Sequence, residues 1–319
     1  MRTLKIIAAI GATLAVLTST GRAQAPYPNH LVRIVVPFSA GSITDGLARI
    51  LAEKLGDMWK QQVIVENRPG LPGTISVANS SPDGYTLMVT SNGHTTAAIL
   101  NKNIPFDPIK DFSGVSKIAS VPQVAVVPPD FPVNSLAEFI ALAKKEPGKL
   151  NFASAGLSST TFLCAEILRQ DAKIDVVHVA YKGTPEATTA TIRGDVQLYL
   201  EPIPLTVSMA AANKLRPIAV NATTRLSQFP NLATFAETIP GYVCDSWFAV
   251  LAPAKTPRPI VNKVSADIGQ ALKMPDVVEK LHIQGAVPAP TTPEQLDAQL
   301  KHESELYAKI LHAAGVAAK

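Results

Sequence analysis

The sequence predicts an α/β protein with mostly parallel sheets, divided into two lobes. Three observations carry this. Short β-branched runs alternate with segments of helical apolar spacing. Beyond an N-terminal leader about 295 residues remain, which suits two domains of ordinary size. No Pro/Ser linker, internal repeat or low-complexity tract separates two halves, so the lobes are expected to be joined by strands that cross between them.

The elements follow in order. Residues 33–36 are a β-branched strand, and residues 45–55 carry Leu47, Ile50, Leu51 and Leu55 on one helical face. Residues 63–65 and 85–90 are strands, the second entered through the turn Ser81-Pro82-Asp83-Gly84. Residues 124–127 form a strand stopped by Pro128-Pro129. Ser135 and Glu138 then have capping-box spacing and open a helix that ends at Pro147-Gly148. Residues 151–153 are a short strand, followed by a helix with apolar Phe162, Leu163, Ile167 and Leu168. Residues 175–179 form a strand, and Thr184-Pro185 supplies a cap and an N1 proline for the next helix. Strands 196–200 and 216–220 complete this half. A last helix opens at Thr292-Pro293-Glu294-Gln295 and places Leu296, Leu300, Tyr307 and Leu311 on one side.

The N-terminus has the order of a secretory leader: Arg2 and Lys5, an uncharged apolar run from Ile6, then Gly21-Arg22-Ala23-Gln24-Ala25. The run is shorter than the roughly 20 residues that span a bilayer. A signal peptide over residues 1–25 is expected, cut before Gln24 or Pro26. The chain's formal charge is +4, but Arg2, Lys5 and Arg22 belong to the leader, so the chain beyond it is close to neutral. With no basic run or aromatic-basic stripe, nucleic-acid binding is excluded as an expectation. Cys164 and Cys244 can pair in an oxidising compartment, although their separation in space is not readable from sequence. Two distant cysteines and six scattered histidines offer no metal-ligand spacing, so neither a metal nor a cofactor is expected.

In open α/β sheets ligands sit beyond the carboxyl ends of strands, where helix N-termini point. The first such loop is Phe38, Ser39, Ala40, Gly41, Ser42, Ile43, Thr44, Asp45. Small residues, hydroxyls and free amides at a positive helix end suit a carboxylate. The same features describe an ordinary capped turn, with Thr44 or Asp45 as the cap. Ser91 and Asn92, at the end of the 85–90 strand, join the candidate set. The second loop is Ser154, Ala155, Gly156, Leu157, Ser158, Ser159, Thr160, Thr161. Its four consecutive hydroxyls exceed what a cap needs. The third is Tyr181, Lys182, Gly183, Thr184, and the fourth candidate is Glu201, directly after a strand. A carboxylate there repels an anion unless it meets a ligand hydroxyl or amine, or caps a backbone group.

Catalytic constellations are missing. Gly156-Leu157-Ser158-Ser159-Thr160 lacks the second glycine of a nucleophile elbow, and His302-Glu303 lacks a histidine four residues on. There is no Walker loop or dinucleotide fingerprint. His94 is read as a solvated loop histidine. No enzymatic activity is expected; a periplasmic hydrolase is the rival from another class.

Seven segments stand in a characteristic order: VPFSAGSITD (36–45), VIVENRPG (63–70), SPDGYTLMV (81–89), FDPIKDFSGV (106–115), HVAYKG (178–183), KLRPIAV (214–220) and APAKTP (252–257). Together they resemble the Bug family, the TctC-like extracytoplasmic receptors of tripartite tricarboxylate transporters. The resemblance runs from about Tyr27 to the C-terminus. It implies a type II periplasmic-binding fold, with lobe 1 over 26–118 and 223–319, the latter including the C-terminal helix, and lobe 2 over 119–222. It implies capture of a small di- or tricarboxylate or aromatic acid between the two facing loops, delivery to membrane permease subunits, and a monomeric receptor; a same-fold sensor feeding a membrane kinase is the alternative. Phe38 and Phe162 permit an aromatic acid, although a core or hinge role is equally open to them. Departures from the family pattern are Ser42 in place of a glycine, Leu71-Pro72 in a glycine-rich stretch, Ser158 in place of glycine, Phe162 in place of histidine and Ala190 in place of aspartate.

Overall fold

The computed structural model describes residues 27–156, 159–181, 183–222, 224–242, 244–313 and 315. The expected leader, Ser158 and Lys182 lie outside them. The first lobe is built on a six-stranded sheet in the order β11-β4-β10-β3-β1-β2. Its strands are β1 (Val32–Val36), β2 (Val63–Asn67), β3 (Thr86–Ser91), β4 (Phe112–Ser120), β10 (Trp247–Pro253) and the two-residue β11 (Val287–Pro288). Helix α1 (Ile43–Trp59) buries Leu47, Leu51 and Leu55 on one face of this sheet, the four-residue spacing of an amphipathic helix. On the same face lie α9 (Arg258–Ala271), through Val261, Val264 and Ile268, and α10 (Pro275–Ile283), through Val277 and Leu281. The opposite face is covered by α2 (Leu71–Ala78) and α3 (Gly93–Leu100), with Val77 and Ala97 against Met88 and Trp247.

The second lobe holds β5 (Gln123–Val127), β8 (Tyr199–Pro202) and β9 (Arg216–Asn221), ordered β8-β5-β9, beside the pair β6 (Asn151–Ser154) and β7 (Val177–Ala180). A bridge between Phe152 and Leu198 joins the two groups. One core gathers Phe139, Phe152, Leu163 and Leu168 from the sheet, α4 (Leu136–Lys145) and α5 (Thr160–Asp171). The other gathers Tyr199, Ile203, Ala187 and Ala190 with α6 (Thr184–Arg193) and α7 (Ile203–Ala211). Ala190 is fully buried there, so the position without its expected aspartate is a packing position.

Alternation of strands and helices predicts mostly parallel pairing, but the hydrogen-bonded pairs are mixed. β1 pairs parallel with β2 and β3, and β6 with β7. β5 is antiparallel to β8 and β9, and β10 to β3 and β4. The reason is connectivity. β5 and β10 are the strands that enter each sheet from the other lobe, so they run against their neighbours. The edge strand β11 is antiparallel to β4 as well.

The two crossings lie side by side, with the Val121 amide donating to the Ser246 carbonyl at 2.8 Å. From sequence the return to the first lobe begins at 223. By packing it begins later: Leu226, Phe229 and Leu232 border one second-lobe core, and Phe235 (in α8, Phe235–Thr238), Ile239, Tyr242 and Cys244 lie in the other. Cys244 is disulfide-bonded to Cys164 of α5, which settles the pairing that sequence left open. The C-terminal helix α11 (Pro293–Ala313) is a third link, with Leu296 and Leu300 in a first-lobe core and Tyr307 and Leu311 in a second-lobe core.

Candidate functional site

The first loop is shaped by one carboxylate. Asp45 is buried; its Oδ2 accepts from the Gly41 amide at 2.9 Å and from Arg49 Nε at 3.1 Å. Its Oδ1 accepts from Asn67 Nδ2 at 2.9 Å, and the same Nδ2 donates to the Phe38 carbonyl at 3.2 Å. Burial pushes the Asp45 pKa up, but bonds from Arg49, the Gly41 amide and Asn67 outweigh it and hold the carboxyl below its ordinary range. Asp45 is therefore an engaged anion that supports the loop. The helix cap is neither Thr44 nor Asp45 but Ser42, whose Oγ accepts from the Asp45 amide at 3.2 Å. The helix starts at Ile43, so the residue before it takes the capping position. Ser42 has φ −69° and ψ 159°, which any residue adopts, so serine in place of the family's glycine carries no backbone strain. Gly41 does need its freedom, with φ +80°. Ser39, Ala40 and Gly41 are exposed, Thr44 is buried, and Phe38 is half-buried against the first-lobe core.

The second loop is shaped by its own hydroxyls. Ser154 is fully buried, 2.7 Å from His178 Nε2, and accepts from the Gly156 amide at 3.2 Å. Burial lowers the His178 pKa to about 4, so the imidazole is neutral near pH 7. Ser159 caps α5 by accepting from the Phe162 amide at 3.2 Å, and donates its own proton to the Gly156 carbonyl at 2.6 Å. Thr161 Oγ1 accepts from the Ala155 amide at 2.9 Å and lies 2.9 Å from Ser159 Oγ. Phe162, a candidate ligand residue by sequence, is a core residue: it is 1% exposed, with its ring 4.6 Å from the His178 ring. The first turns of α5 are buried on every side, residues 161–168 without a break, so Phe162 is enclosed whichever way the helix turns it.

The remaining candidates divide. Tyr181 follows β7, borders the core beneath α6, and donates its amide to the Ser154 carbonyl at 3.0 Å. A Cβ on Gly156 would stand 3.6 Å from the Tyr181 carbonyl, so the second and third loops are neighbours. Gly183 caps α6 without a side chain. Glu201 is fully buried. Its Oε1 accepts from Thr188 Oγ1 at 2.5 Å, its Oε2 has no partner among the described residues, and burial raises its pKa. Ser91 is buried in β3 opposite Phe248. His94 is not a solvated loop residue. It is buried in α3, edge-on to Phe112, with Nε2 2.7 Å from the Pro108 carbonyl, and burial lowers its pKa to about 4.

The structure brings Asn92 and Thr160 together across the lobes, with Thr160 Oγ1 3.3 Å from Asn92 Oδ1. Among the described residues no hydrogen bond joins the 38–45 loop directly to the second-lobe loops. Sequence reasoning missed Arg49 and Asn67, which hold Asp45, and Lys117, which pairs with Asp245 of the crossing at 2.7 Å. Arg49 was findable, since it lies four residues after Asp45 on one helix. A cavity of about 580 Å³ opens beside the crossings, lined by Lys117, Asp245, Asn221 and Phe235 among others, and no sequence-predicted site residue lines it.

What the arrangement offers an anion is backbone. By helix geometry the amides of Ile43 and Thr44, and those of Thr160 and Thr161, have no intrahelical acceptor. The next amide at each helix is taken by its capping serine. Two helix N-termini, one from each lobe, thus carry a capped turn with amides to spare. The chain matches a family model: residues 47–316, which include the second loop, fit the tripartite tricarboxylate transporter family receptor, TctC. The chain belongs to this family. Protein BugT of Bordetella pertussis is similar to it, 33% identical with 100% of each chain covered. Two solved structures are similar over most of their length. Rpa4515 of R. palustris with adipate is 32% identical, with 91% of this chain and 99% of that one covered and a TM-score of 0.78. MatC from Rhodopseudomonas palustris with bound malate is 29% identical, with 89% and 100% covered and a TM-score of 0.74. The TctC family consists of solute receptors, so this chain is a solute receptor of that type.

Proposed function

We propose that this TctC receptor is exported, loses its leader, and captures a small organic dicarboxylate in the periplasm for delivery to the membrane subunits of a tripartite transporter, without catalysing a reaction. The observation that carries the reading is the pair of serine-capped helix N-termini at 42–45 and 159–162, one on each lobe. Neither described loop holds a free cation, since Arg49 is committed to Asp45. A ligand carboxylate would then be met by amides and helix ends, each end worth up to about 2 kcal/mol when partly buried. Charge-assisted hydrogen bonds add about 1.5–3 kcal/mol each. Adipate and malate, which accompany two relatives, are both dicarboxylates. An aromatic acid loses support because Phe162 lies in the core and Phe38 at a core edge.

One experiment tests the reading. Protein is recovered from the periplasm, its N-terminus is sequenced, and it is screened by melting against aliphatic and aromatic mono-, di- and tricarboxylates. An acid at 100 times its Kd raises stability by about 2.7 kcal/mol. Ser42→Asp is the decisive variant. Aspartate caps a helix as well as serine does, so the fold is kept while a negative charge occupies the anion position. Calorimetry should show affinity falling about a hundredfold or more, roughly 2.7 kcal/mol. A folded Ser42→Asp protein with wild-type affinity moves the site elsewhere, and a chain still beginning at Met1 ends the export claim.

A further inference from the structure

Asn92 stands at the end of β3 in the first lobe, yet its side chain serves other parts of the molecule. It is 1% exposed. Its Nδ2 donates to the Asp245 carbonyl at 2.7 Å, and its Oδ1 accepts from the Trp247 amide at 3.1 Å. Both partners belong to the crossing that returns to the first lobe. The same Oδ1 receives the Thr160 hydroxyl at 3.3 Å, from the first turn of α5. Its backbone carbonyl is engaged too, accepting from the Thr95 amide at 3.1 Å and hydroxyl at 2.8 Å. Asn92 was a candidate ligand contact from sequence; its amide group is instead occupied by protein on both sides.

Thr160 and Cys164 are four residues apart, one turn along the same face of α5. Cys164 is bonded to Cys244, three residues before Trp247. Two successive turns of α5 are therefore fastened to the crossing segment 244–247, one by the disulfide and one through Asn92. A helix attached only to its own lobe would carry its N-terminus through the full arc of lobe movement. A helix fastened to the crossing keeps that N-terminus near the axis.

We infer that Asn92 is a positioning residue for ligand capture: by tying Thr160 to the crossing strand, it holds the amides of Thr160 and Thr161 in place before the ligand arrives. It does this without touching the ligand. Pre-ordering of this kind raises affinity because less freedom is lost on binding. The inference rests on the carboxylate reading of those amides, but the tie itself is a property of the ligand-free protein.

The test has two arms. In the first, non-cysteine spin labels are placed at the exposed Lys144 and Lys273, one on each lobe, and the inter-lobe distance distribution is measured without ligand. Thr160→Val keeps the shape of the side chain and removes only the hydroxyl. It should broaden the distribution, as should Asn92→Ala, while the double variant should be no broader than Asn92→Ala alone. In the second arm adipate binding is measured at a temperature where melting curves show every variant folded. Thr160→Val should weaken binding about fivefold and Asn92→Ala about tenfold or more, with no further loss in the double variant, since coupled residues are non-additive. A purely structural Asn92, or a Thr160 hydroxyl that meets the ligand directly, gives additive losses and overturns the inference, as does an unchanged distance distribution in Thr160→Val. Should Asn92→Ala fail to fold, Thr160→Val alone decides the first arm. If adipate does not bind the wild type, the carboxylate reading suffers, and the distance arm still decides the tie.

Discussion

The loops at 38–45 and 154–162 read alike: each leaves a strand, is rich in small hydroxyl residues, and enters a helix. They are held by opposite means. The first is pinned through its own buried carboxylate, Asp45, which Arg49 and Asn67 hold from outside the loop. Its own tip stays exposed. The second is pinned from inside, with Ser154, Ser159 and Thr161 all spent on bonds within the lobe. Counting hydroxyls in a sequence therefore overstates what a loop offers a ligand. Among the described residues of the second loop, the hydroxyls of Ser154, Ser159 and Thr161 build the shape, and the amides of the helix end remain. The helices differ in the same way: α5 is cross-linked to the crossing segment through Cys164, whereas α1 carries no covalent tie.

The largest effect should come from breaking that covalent asymmetry. Replacing Cys164 and Cys244 with alanine is expected to cost about 2–5 kcal/mol, the usual range for a native disulfide in a secreted protein. Hydrogen exchange should quicken at the amides of 162–168 and leave those of 45–51 unchanged. Equal quickening in both helices would mean that the disulfide steadies the whole molecule and does not distinguish the loops.

A smaller effect separates the two capping serines. Ser42 only accepts, from the Asp45 amide. Ser159 both accepts, from the Phe162 amide, and donates, to the Gly156 carbonyl. A carboxylate accepts but cannot donate when ionised. Ser42→Asp should accordingly change stability by less than about 0.5 kcal/mol. Ser159→Asp should lose about 1–3 kcal/mol by leaving the Gly156 carbonyl facing a charge of like sign. Urea unfolding of the two variants makes the comparison, and equal losses would show the hydroxyl proton of Ser159 to be irrelevant.

How far the sequence could reach depended on how far away the partners lie. Strands 33–36 and 151–153 were legible because their β-branched and apolar runs are bounded by turn residues. β4 and β10 were not identified. Phe112–Ser120 is interrupted by Gly114 and Lys117, and Trp247–Pro253 is buried throughout, so it lacks the alternation that marks a half-buried strand. α9 and α10 were missed as well. Both are capped by residues without a capping side chain, Pro257 and Met274, so they lack a readable start. The positions of the candidate loops were legible, since a strand, a hydroxyl cluster and a helix are local signals. What each hydroxyl does was not. Ser154 answers to His178, 24 residues on, and Asn92 to Asp245 and Trp247, 153 and 155 residues on. Phe162 stays open between a ligand and a core role in the sequence because it directly follows the hydroxyl cluster, and its 1% exposure decides for the core.

The smallest expected effect uses pH to oppose two buried carboxyls, one per lobe. Asp45 is held below its ordinary pKa, and Glu201 is pushed above its own by burial. A depressed acid contributes stability that is complete above the unfolded value, about 3.9 for aspartate, and is lost as pH falls through the folded value. A raised acid behaves oppositely. Its contribution is complete below the unfolded value, about 4.3 for glutamate, and is lost as pH rises through the folded value. Asp45→Asn should therefore melt below the wild type at pH 7, with the gap closing in acid. Glu201→Gln, which keeps an acceptor for Thr188 and puts a neutral amide where Oε2 lacks a partner, should melt at or above the wild type at pH 7, with that gap also closing in acid. Melting curves from pH 3 to pH 8 would read both. The two difference curves must not share a sign at neutral pH. A Glu201→Gln variant less stable than the wild type at pH 7, with the deficit vanishing in acid, would mean that Glu201 is a stabilising anion like Asp45. The second lobe would then hold a buried charge at Thr188 of α6, which the proposed capture of a carboxylate would have to overcome.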